Sequence, residues 1–126
     1  MSEGLPVDNK ARKALPLWSF LMEYFPDAFV EVCKVAVVGN NQHNPGQPLH
    51  WAREKSTDQM NTAFRHMFDY GRGTKMDVDG VPHLAKAIWR LSAQLQLDVE
   101  AQRAITVPAD ERPPIGGLVR SDGVKW

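Results

Sequence analysis

Apolar residues recur at helical spacing in four segments of the chain, and turn-forming residues separate these segments. The first segment opens at Pro16, a residue that suits the first turn of a helix, and predicts a helix over residues 16–25. Pro26 breaks this helix and can open the next one, which is predicted to run to about Val38 and to stop at Gly39.

The second helix is predicted to bury one apolar face. That face comprises Phe29, Val30, Cys33 and Val37. Charged residues lie on its other side: Asp27, Glu31 and Lys34. The β-branched run at residues 35–38 also fits a strand, but partner strands are not evident elsewhere in the chain, so we favour a helix.

The third helix is predicted to begin near Ser56, because Ser56 and Gln59 have the spacing of a capping box. It is predicted to stop at Gly71 or Gly73. The residues expected on its apolar face are Met60, Ala63, Phe64, Met67 and Phe68.

The fourth helix is predicted to start between Asp79 and Pro82 and to end near residue 102. Apolar residues recur along it at intervals of three and four, which is typical of a packing seam. These residues are Val81, Leu84, Ile88, Leu91 and Leu95.

The remaining segments are rich in proline, glycine and asparagine and predict irregular structure. Residues 1–10 are expected to form an arm, and residues 40–50 a loop that ends at Trp51. We therefore predict a compact four-helix, all-α domain over residues 1–104, followed by an extended Pro/Gly-rich tail over residues 105–126.

Composition narrows the possible ligands. The chain has 126 residues, enough for one domain, and balances 15 basic against 15 acidic residues. Duplex nucleic acid is not expected as a partner, because it usually requires a basic excess. A phosphate ligand would need a local cluster of charge.

The lone Cys33 excludes an internal disulfide and a cysteine zinc site, and its apolar neighbours predict that it is buried.

Targeting and membrane signals are not evident. Residues 1–4 show no apolar signal region, and no apolar run approaches 18 residues. We expect a soluble protein of the cytoplasm that does not span a membrane.

The turn between the third and fourth helices holds the densest chemistry. Residues 65–85 include two histidines, three aspartates and two arginines. Charge and imidazole concentrated at helix ends can hold a phosphate or a divalent metal ion. A nucleotide or phosphate site is therefore the first hypothesis for this turn.

On the third helix, Asn61, Arg65 and Asp69 are four residues apart and share one face. They form either a solvated network or the polar wall of a pocket. His66 lies one step around the helix and is either a structural histidine or a ligand or catalytic group.

On the fourth helix, His83, Lys86 and Arg90 form a stripe that is either solvated or faces an anion at the helix start. Asp77 and Asp79 suit magnesium, which needs one or two carboxylates, although Asp79 also suits a helix cap.

An EF-hand calcium loop is rejected for this turn. In the register that places Asp77 and Asp79 at loop positions three and five, lysines stand at positions one and twelve, Lys75 and Lys86.

The loop at residues 40–51 offers two histidines, His43 and His50, and the indole of Trp51. A base could stack on Trp51, or this side chain could simply cap the core. The chain contains no Walker motif, no GxGxxG and no Ser-His-Asp signature.

Taken together, these residues resemble a phage-associated family, the dATP/dGTP diphosphohydrolase N-terminal domain. The resemblance covers about residues 5–97 and depends on the order and spacing of several short motifs. These are Asp8 and Lys10, the run Glu31-Val32-Cys33-Lys34-Val35, Gly39, Trp51, Arg65-His66, Gly73 and the segment 77–87 that begins Asp77-Val78-Asp79-Gly80.

The resemblance implies an all-α enzyme that cuts purine deoxynucleoside triphosphates between the α and β phosphates with magnesium. It assigns the metal to Glu31, Asp77 and Asp79. The catalytic candidates are His66 and His83. The candidates for nucleotide or phosphate contact are Arg65, Asn61, Lys86, Trp51, His43 and Lys34.

The chain departs from the family pattern at three positions. Thr74 stands where Glu is expected, Asp79 replaces Glu, and Lys86 replaces a histidine. The chain also lacks the Glu-x-x-Glu pair of other all-α pyrophosphohydrolases. These changes are those expected if nucleotide binding outlived catalysis. The alternative to an enzyme is therefore a non-catalytic binder that sequesters a nucleotide signal of host anti-phage defence.

A homo-oligomer is also expected. The seam of the fourth helix and the apolar residues of the tail exceed what a four-helix monomer of this size readily buries.

Overall fold

The computed structural model describes residues 4–106, and this part of the chain is helical and contains no strand. Its helices are α1 (Asn9–Lys13), α2 (Leu17–Tyr24), α3 (Pro26–His43), α4 (Gln59–Gly71) and α5 (His83–Thr106). The all-α, four-helix prediction is confirmed by α2 to α5. The short α1 begins in the predicted arm of residues 1–10 and extends beyond it to Lys13. It is capped by Asp8, whose carboxylate accepts a hydrogen bond from the Ala11 amide at 2.9 Å.

The boundaries of α2 and the start of α3 lie where the prolines predicted them, with Pro26 as the first residue of α3. The predicted stop at Gly39 was wrong, because α3 continues to His43. A glycine ends a helix when it takes a left-handed conformation, and Gly39 is not among the residues with positive φ.

The start predicted for the third helix was also wrong. The helix α4 begins at Gln59, and the capping box does not form. Instead, the carbonyl of Ser56 accepts a long 3.4 Å hydrogen bond from the Gln59 side chain. The preceding residues 44–58 form a loop that runs back toward α5.

The helix α3 buries a different face from the predicted one. The core contains Val32, Val81 and Ala85, with Val35, Val38, Ile88 and Trp89 packed against them. The residues expected to be buried, Phe29, Val30, Cys33 and Val37, are exposed. Because α3 carries apolar residues on both faces, its periodicity alone did not reveal which face α5 covers.

The predicted core face of α4 is almost entirely exposed. Only Ala63 is buried, at 1% exposure. The other members are exposed by 46–64%: Met60, Phe64, Met67 and Phe68. The buried apolar positions of the α4–α5 hairpin are mostly alanines, so its two helices pack closely without these large side chains.

The packing seam predicted on the fourth helix divides in two. Val81 is buried and Ile88 is half-buried, whereas Leu84, Leu91 and Leu95 are exposed. The helix α5 reaches Thr106, so the first residues of the predicted tail are helical. The rest of that tail lies outside the described residues.

A membrane-spanning helix is not found between residues 4 and 106, where every helix is too short or too polar to cross a bilayer.

Candidate functional site

The turn between α4 and α5 is held by its own backbone. The amide of His83 donates to the Lys75 carbonyl and that of Asp77 to the Val81 carbonyl, each at 2.9 Å. Gly80 has φ of 79°, a left-handed conformation that other residues adopt at a cost. This geometry places the carboxylates of Asp77 and Asp79 beside the first turn of α5.

Lys86 lies between these two carboxylates. Its Nζ is 2.6 Å from Oδ2 of Asp77 and 2.6 Å from Oδ2 of Asp79. The hydrogen bonds from Lys86 lower the pKa of both carboxyl groups below its ordinary value. Burial opposes the charge of Lys86, but the two carboxylates outweigh it and raise the pKa of the ammonium group. The negative charge of the two aspartates is therefore balanced in part by the ammonium group of Lys86.

His66 and His83 meet beside this cluster. Their Nδ1 atoms are 2.9 Å apart, and His83 is buried, with 4% exposure. On its other side, Nε2 of His83 lies 3.9 Å from Oδ2 of Asp69. Burial lowers the pKa of His66, and its electrostatic interactions with His83 and then with Lys86 lower it further. The neutral form of His66 is favoured as a result.

A cavity of about 560 Å³ opens between α3, the 44–58 loop, α4 and α5. His66, Asp79 and Lys86 are among the residues that line it. Its other walls comprise Val35, Ala36, Val38, Gly39, Gln42, His43, Asn44, His50, Trp51, Ala52, Lys55, Ser56, Gln59, Trp89 and Arg90. The volume lies within the range of small-molecule sites.

Side-chain contacts fasten the loop wall to α5. The rings of Trp51 and Trp89 meet edge to face, with centroids 6.1 Å apart. Arg53 lies over the Trp51 ring at 4.2 Å and forms an ion pair with Glu100 of α5, whose side chain is 8% exposed. These side-chain contacts hold the loop against α5, where it forms one wall of the cavity.

Arg90 supplies a second cation to the cavity. Its Nη1 donates to Oγ of Ser56 and to Oε1 of Gln59, each at 3.2 Å. Burial is the largest cause of the lowered pKa of Arg90, followed by the charge of Arg65. These two hydrogen bonds leave further guanidinium N–H groups, because arginine has five.

The structure brings several of the sequence-predicted site residues together. Five line the cavity: His43, Trp51, His66, Asp79 and Lys86. Two more contact these residues directly, since Asp77 pairs with Lys86 and His83 with His66.

Other predicted residues lie apart from this site. Glu31 and Lys34 pair with each other along α3, 3.2 Å apart. Asn61 and Arg65 are exposed on α4, and Arg65 makes local contacts, at 3.0 Å to Thr62 and 3.7 Å to Asp58. None of these four side chains lines the cavity.

Sequence reasoning missed several residues of the cavity. Trp89 follows Lys86 by three residues on α5, a spacing that could have indicated a shared face. Lys55 and Gln59 show no such pattern, because Lys55 reaches the cavity through the path of the loop and Gln59 through the position of the first turn of α4.

The comparisons with known proteins agree with the motifs. The family model described as dATP/dGTP diphosphohydrolase, N-terminal, matches residues 6–106. Neither a curated protein nor a solved structure matches the chain significantly. Since the matched region spans α1 to α5 and most of the 126 residues, the chain belongs to the dATP/dGTP diphosphohydrolase N-terminal family.

Proposed function

We propose that this protein binds a purine (deoxy)nucleoside triphosphate in the cavity and hydrolyses it between the α and β phosphates. The observation that carries the proposal is that cationic side chains and tryptophan rings line one cavity of about 560 Å³. The reaction itself comes from the family to which the chain belongs. Such an activity would operate in the cytoplasm, where nucleotides are formed.

The phosphates are assigned to the cationic end of the cavity. Lys55, Lys86 and Arg90 all line it and can neutralise a triphosphate through charge-assisted hydrogen bonds. Arg90 suits this role because its position is already defined by Ser56 and Gln59, so little side-chain entropy is lost on binding.

The base is assigned to the tryptophan side of the cavity. Trp51 and Trp89 contact each other and both line the cavity, so a purine can stack or pack against their rings. The indole Nε1 of Trp51 is buried and has no hydrogen-bond partner among the described residues. A buried donor of this kind costs about 1–3 kcal/mol, and a polar ligand or water would remove that cost.

Hydrolysis is assigned to the histidine pair. In this reaction a water oxygen bonds to the α-phosphorus, the bond from phosphorus to the bridging oxygen breaks, and pyrophosphate leaves. His66 lines the cavity, and its lowered pKa keeps a nitrogen available to accept the proton of the water. His83 then orients His66 through the 2.9 Å contact.

The magnesium implied by the family resemblance does not fit the residues expected to bind it. Asp77 and Asp79 both hold the ammonium group of Lys86, and Glu31 is paired with Lys34. Magnesium prefers several oxygen ligands in octahedral geometry, and here the place between the two aspartates is taken by the ammonium group of Lys86.

The test is turnover of dATP, dGTP, dCTP and dTTP, with the release of pyrophosphate and monophosphate measured. Separate reactions contain Mg²⁺, Mn²⁺, Co²⁺ or a chelator. The expected result is faster turnover of the two purine nucleotides. Arg90→Gln should slow the turnover of the purine nucleotides at least about tenfold, because a charge-assisted contact is lost. Arg65→Gln, outside the cavity, should have a small effect on turnover. No turnover under any condition would contradict the enzyme proposal.

A non-catalytic binder is the second candidate, and one observation favours it. Lys86 already neutralises Asp77 and Asp79, where a hydrolase would bring a divalent cation. In a phage, such a protein could sequester a nucleotide signal of host anti-phage defence. Tight binding in the presence of a chelator, with the nucleotide recovered intact by mass spectrometry, would support this function over hydrolysis.

We further propose that the chain forms a homo-oligomer. The α4 face, defined as Met60, Phe64, Met67 and Phe68, presents about half of each side chain to solvent. Since one aromatic side chain buries 150–250 Å² when covered, this face offers apolar area on the order of 400 Å². Patches of that size on a monomer are often functional.

The helix α2, which packs against α3 and not against α4, carries a separate apolar surface. Five of its eight residues and the following Phe25 are large apolar or aromatic side chains that are 43–76% exposed: Leu17, Trp18, Phe20, Met22, Tyr24 and Phe25. A stable dimer buries about 800 Å² on each partner. The α4 face alone offers about half of that area, and the exposed side chains of α2 offer more apolar surface that a second copy of this chain would cover.

A further inference from the structure

His66, Asp77 and His83 converge from three different parts of the chain. His66 comes from α4, Asp77 from the turn and His83 from the start of α5. One ligand atom of each residue lies within 4.8 Å of the others. We propose that these three residues bind a divalent transition-metal ion of the zinc and cobalt class.

The spacing of the imidazole nitrogens suits one ion. Two nitrogen ligands that are each about 2.1 Å from a metal lie about 3.4 Å apart at the tetrahedral angle that zinc prefers, and about 3.0 Å apart at the right angle of an octahedral site. The Nδ1 atoms of His66 and His83 are 2.9 Å apart. The metal would replace the hydrogen bond that now joins these nitrogens, so the two rings need little movement.

The donor atoms select the class of metal. Two imidazoles and one carboxylate form a set typical of zinc, cobalt, iron or nickel, whereas magnesium prefers oxygen ligands. The set differs from the one that the resemblance implied, since it includes neither Glu31 nor Asp79. The ion is therefore a nitrogen-binding metal and not magnesium, and its site lies beside the carboxylates to which the resemblance assigned magnesium.

The surroundings provide both support and access. Asp69 lies 3.9 Å from Nε2 of the buried His83, beyond hydrogen-bond distance, and a small approach would let its carboxylate support this ligand as carboxylates do in metal sites. His66 lines the cavity, so an ion there would have an open side facing the phosphates.

Lys86 opposes the ion. Its ammonium group holds Oδ2 of Asp77 at 2.6 Å, while Oδ1 accepts the Val78 amide at 2.7 Å. Each carboxylate oxygen has two lone pairs, so Asp77 can also bind a metal. The positive charge of Lys86 nevertheless weakens that binding.

The place of this ion in catalysis rests on the proposed function, because the histidine pair would then hold a metal instead of accepting a proton. Binding of the ion does not depend on it. Metal affinity is therefore measured without nucleotide, and nucleotide affinity is measured separately in a chelator. Failure of either proposal can then be recognised on its own.

The experiment is a titration of metal-free, tag-free protein with Co²⁺, followed by visible absorption and calorimetry. We expect one Co²⁺ per chain. His66→Gln and Asp77→Asn should each weaken binding by at least about tenfold, whereas His43→Gln, which removes a cavity-lining histidine outside this group, should not. Equal Co²⁺ affinity in all three variants, or the absence of binding to the unmodified protein, would overturn the proposal.

A second variant covers the case in which a lost ligand disturbs folding. Lys86→Met removes the competing ammonium group and keeps all three ligands. We expect Co²⁺ affinity to rise at least about threefold, because the repulsion between the two cations is removed. An unchanged or lower affinity in this variant, with circular dichroism unchanged, would contradict a site that includes Asp77.

Discussion

The cavity side of α5 and the outer face of α4 reverse the usual distribution of polar and apolar residues. On α5, His83 is buried and Lys86 and Arg90 are half-buried. On α4, one residue of the predicted core face is buried, while Phe64 and Phe68 are exposed by 64% and 57%. Both helices belong to one hairpin.

The difference separates two tasks of the hairpin. Charged and imidazole groups are costly to bury unless they are paired, and those of α5 are paired with Asp77, Asp79, Ser56 and Gln59. Large apolar side chains are costly to expose, and those of α4 have no cover within residues 4–106. The inner side thus suits a ligand and the outer side a second copy of the chain.

The largest expected effect comes from charging the apolar side. Phe64→Glu places a carboxylate in the proposed interface and should weaken association by more than about 3 kcal/mol, since burying an unpaired charge is costly. We expect the assembly to dissociate to the 14.2 kDa monomer in light scattering after size exclusion.

Thr62→Glu is the matched control, because it adds the same charge to the same helix two residues from Phe64, at a position that does not share its face. This variant should keep the mass of the assembly. A 14.2 kDa monomer before any substitution would refute the second copy as the occupant.

Removing the half-buried ammonium group of Lys86 should have the next largest effect. Lys86→Met leaves the carboxylates of Asp77 and Asp79 unneutralised at the edge of the cavity. Nucleotide affinity in chelator should fall about 10- to 100-fold, because a charge-assisted contact is lost and repulsion is gained. Lys75→Met changes an exposed lysine of the same turn and should bind as the unmodified chain does. If both variants bind the nucleotide with equal affinity, Lys86 does not contact it.

The ion pair that joins the 44–58 loop to α5 can be tested by substituting two carboxylates of that helix. Glu100→Gln weakens the buried ion pair with Arg53 and should lower the free energy of unfolding by about 2 kcal/mol. Asp98→Asn, at an exposed position two residues away, should change it by less than about 0.5 kcal/mol. Urea denaturation measures both, and similar losses would show that the wall does not depend on this pair.

The smallest effect is expected in the turn itself. Gly80→Ala places a side chain at a φ of 79°, where nothing lies within 4 Å of the added Cβ, so only the backbone conformation is penalised. The expected cost in unfolding free energy is about 1–2 kcal/mol. Gly71→Ala, at an ordinary helical position with equal space, should leave stability unchanged or raise it. If both variants have equal stability, the turn adopts another conformation in solution.

Local sequence signals predicted the helices better than their packing. Pro26 placed the start of α3 correctly, because proline restricts the chain directly. Gly39 and Ser56 misplaced a helix end and a helix start, since both act only in a particular backbone conformation. The buried face of α3 was chosen wrongly because both faces are apolar.

The candidate site shows the same division. The density of charge at residues 65–85 indicated His66, His83 and Asp77 before any contact was known. The pairing of Lys86 with both aspartates was not predicted, since seven and nine residues separate them and the turn had to bring them together. Lys55 and Trp89 reached the cavity through the loop and α5 packing.

The sequence by itself determined the helical fold, the family and the candidate residues for the site, because periodicity, prolines and motif order are local properties of the chain. The tertiary structure alone decided which faces are buried, which cation neutralises the aspartates, and that the two histidines meet 2.9 Å apart. Those outcomes depend on contacts between residues distant in sequence, and the same local pattern is compatible with several of them.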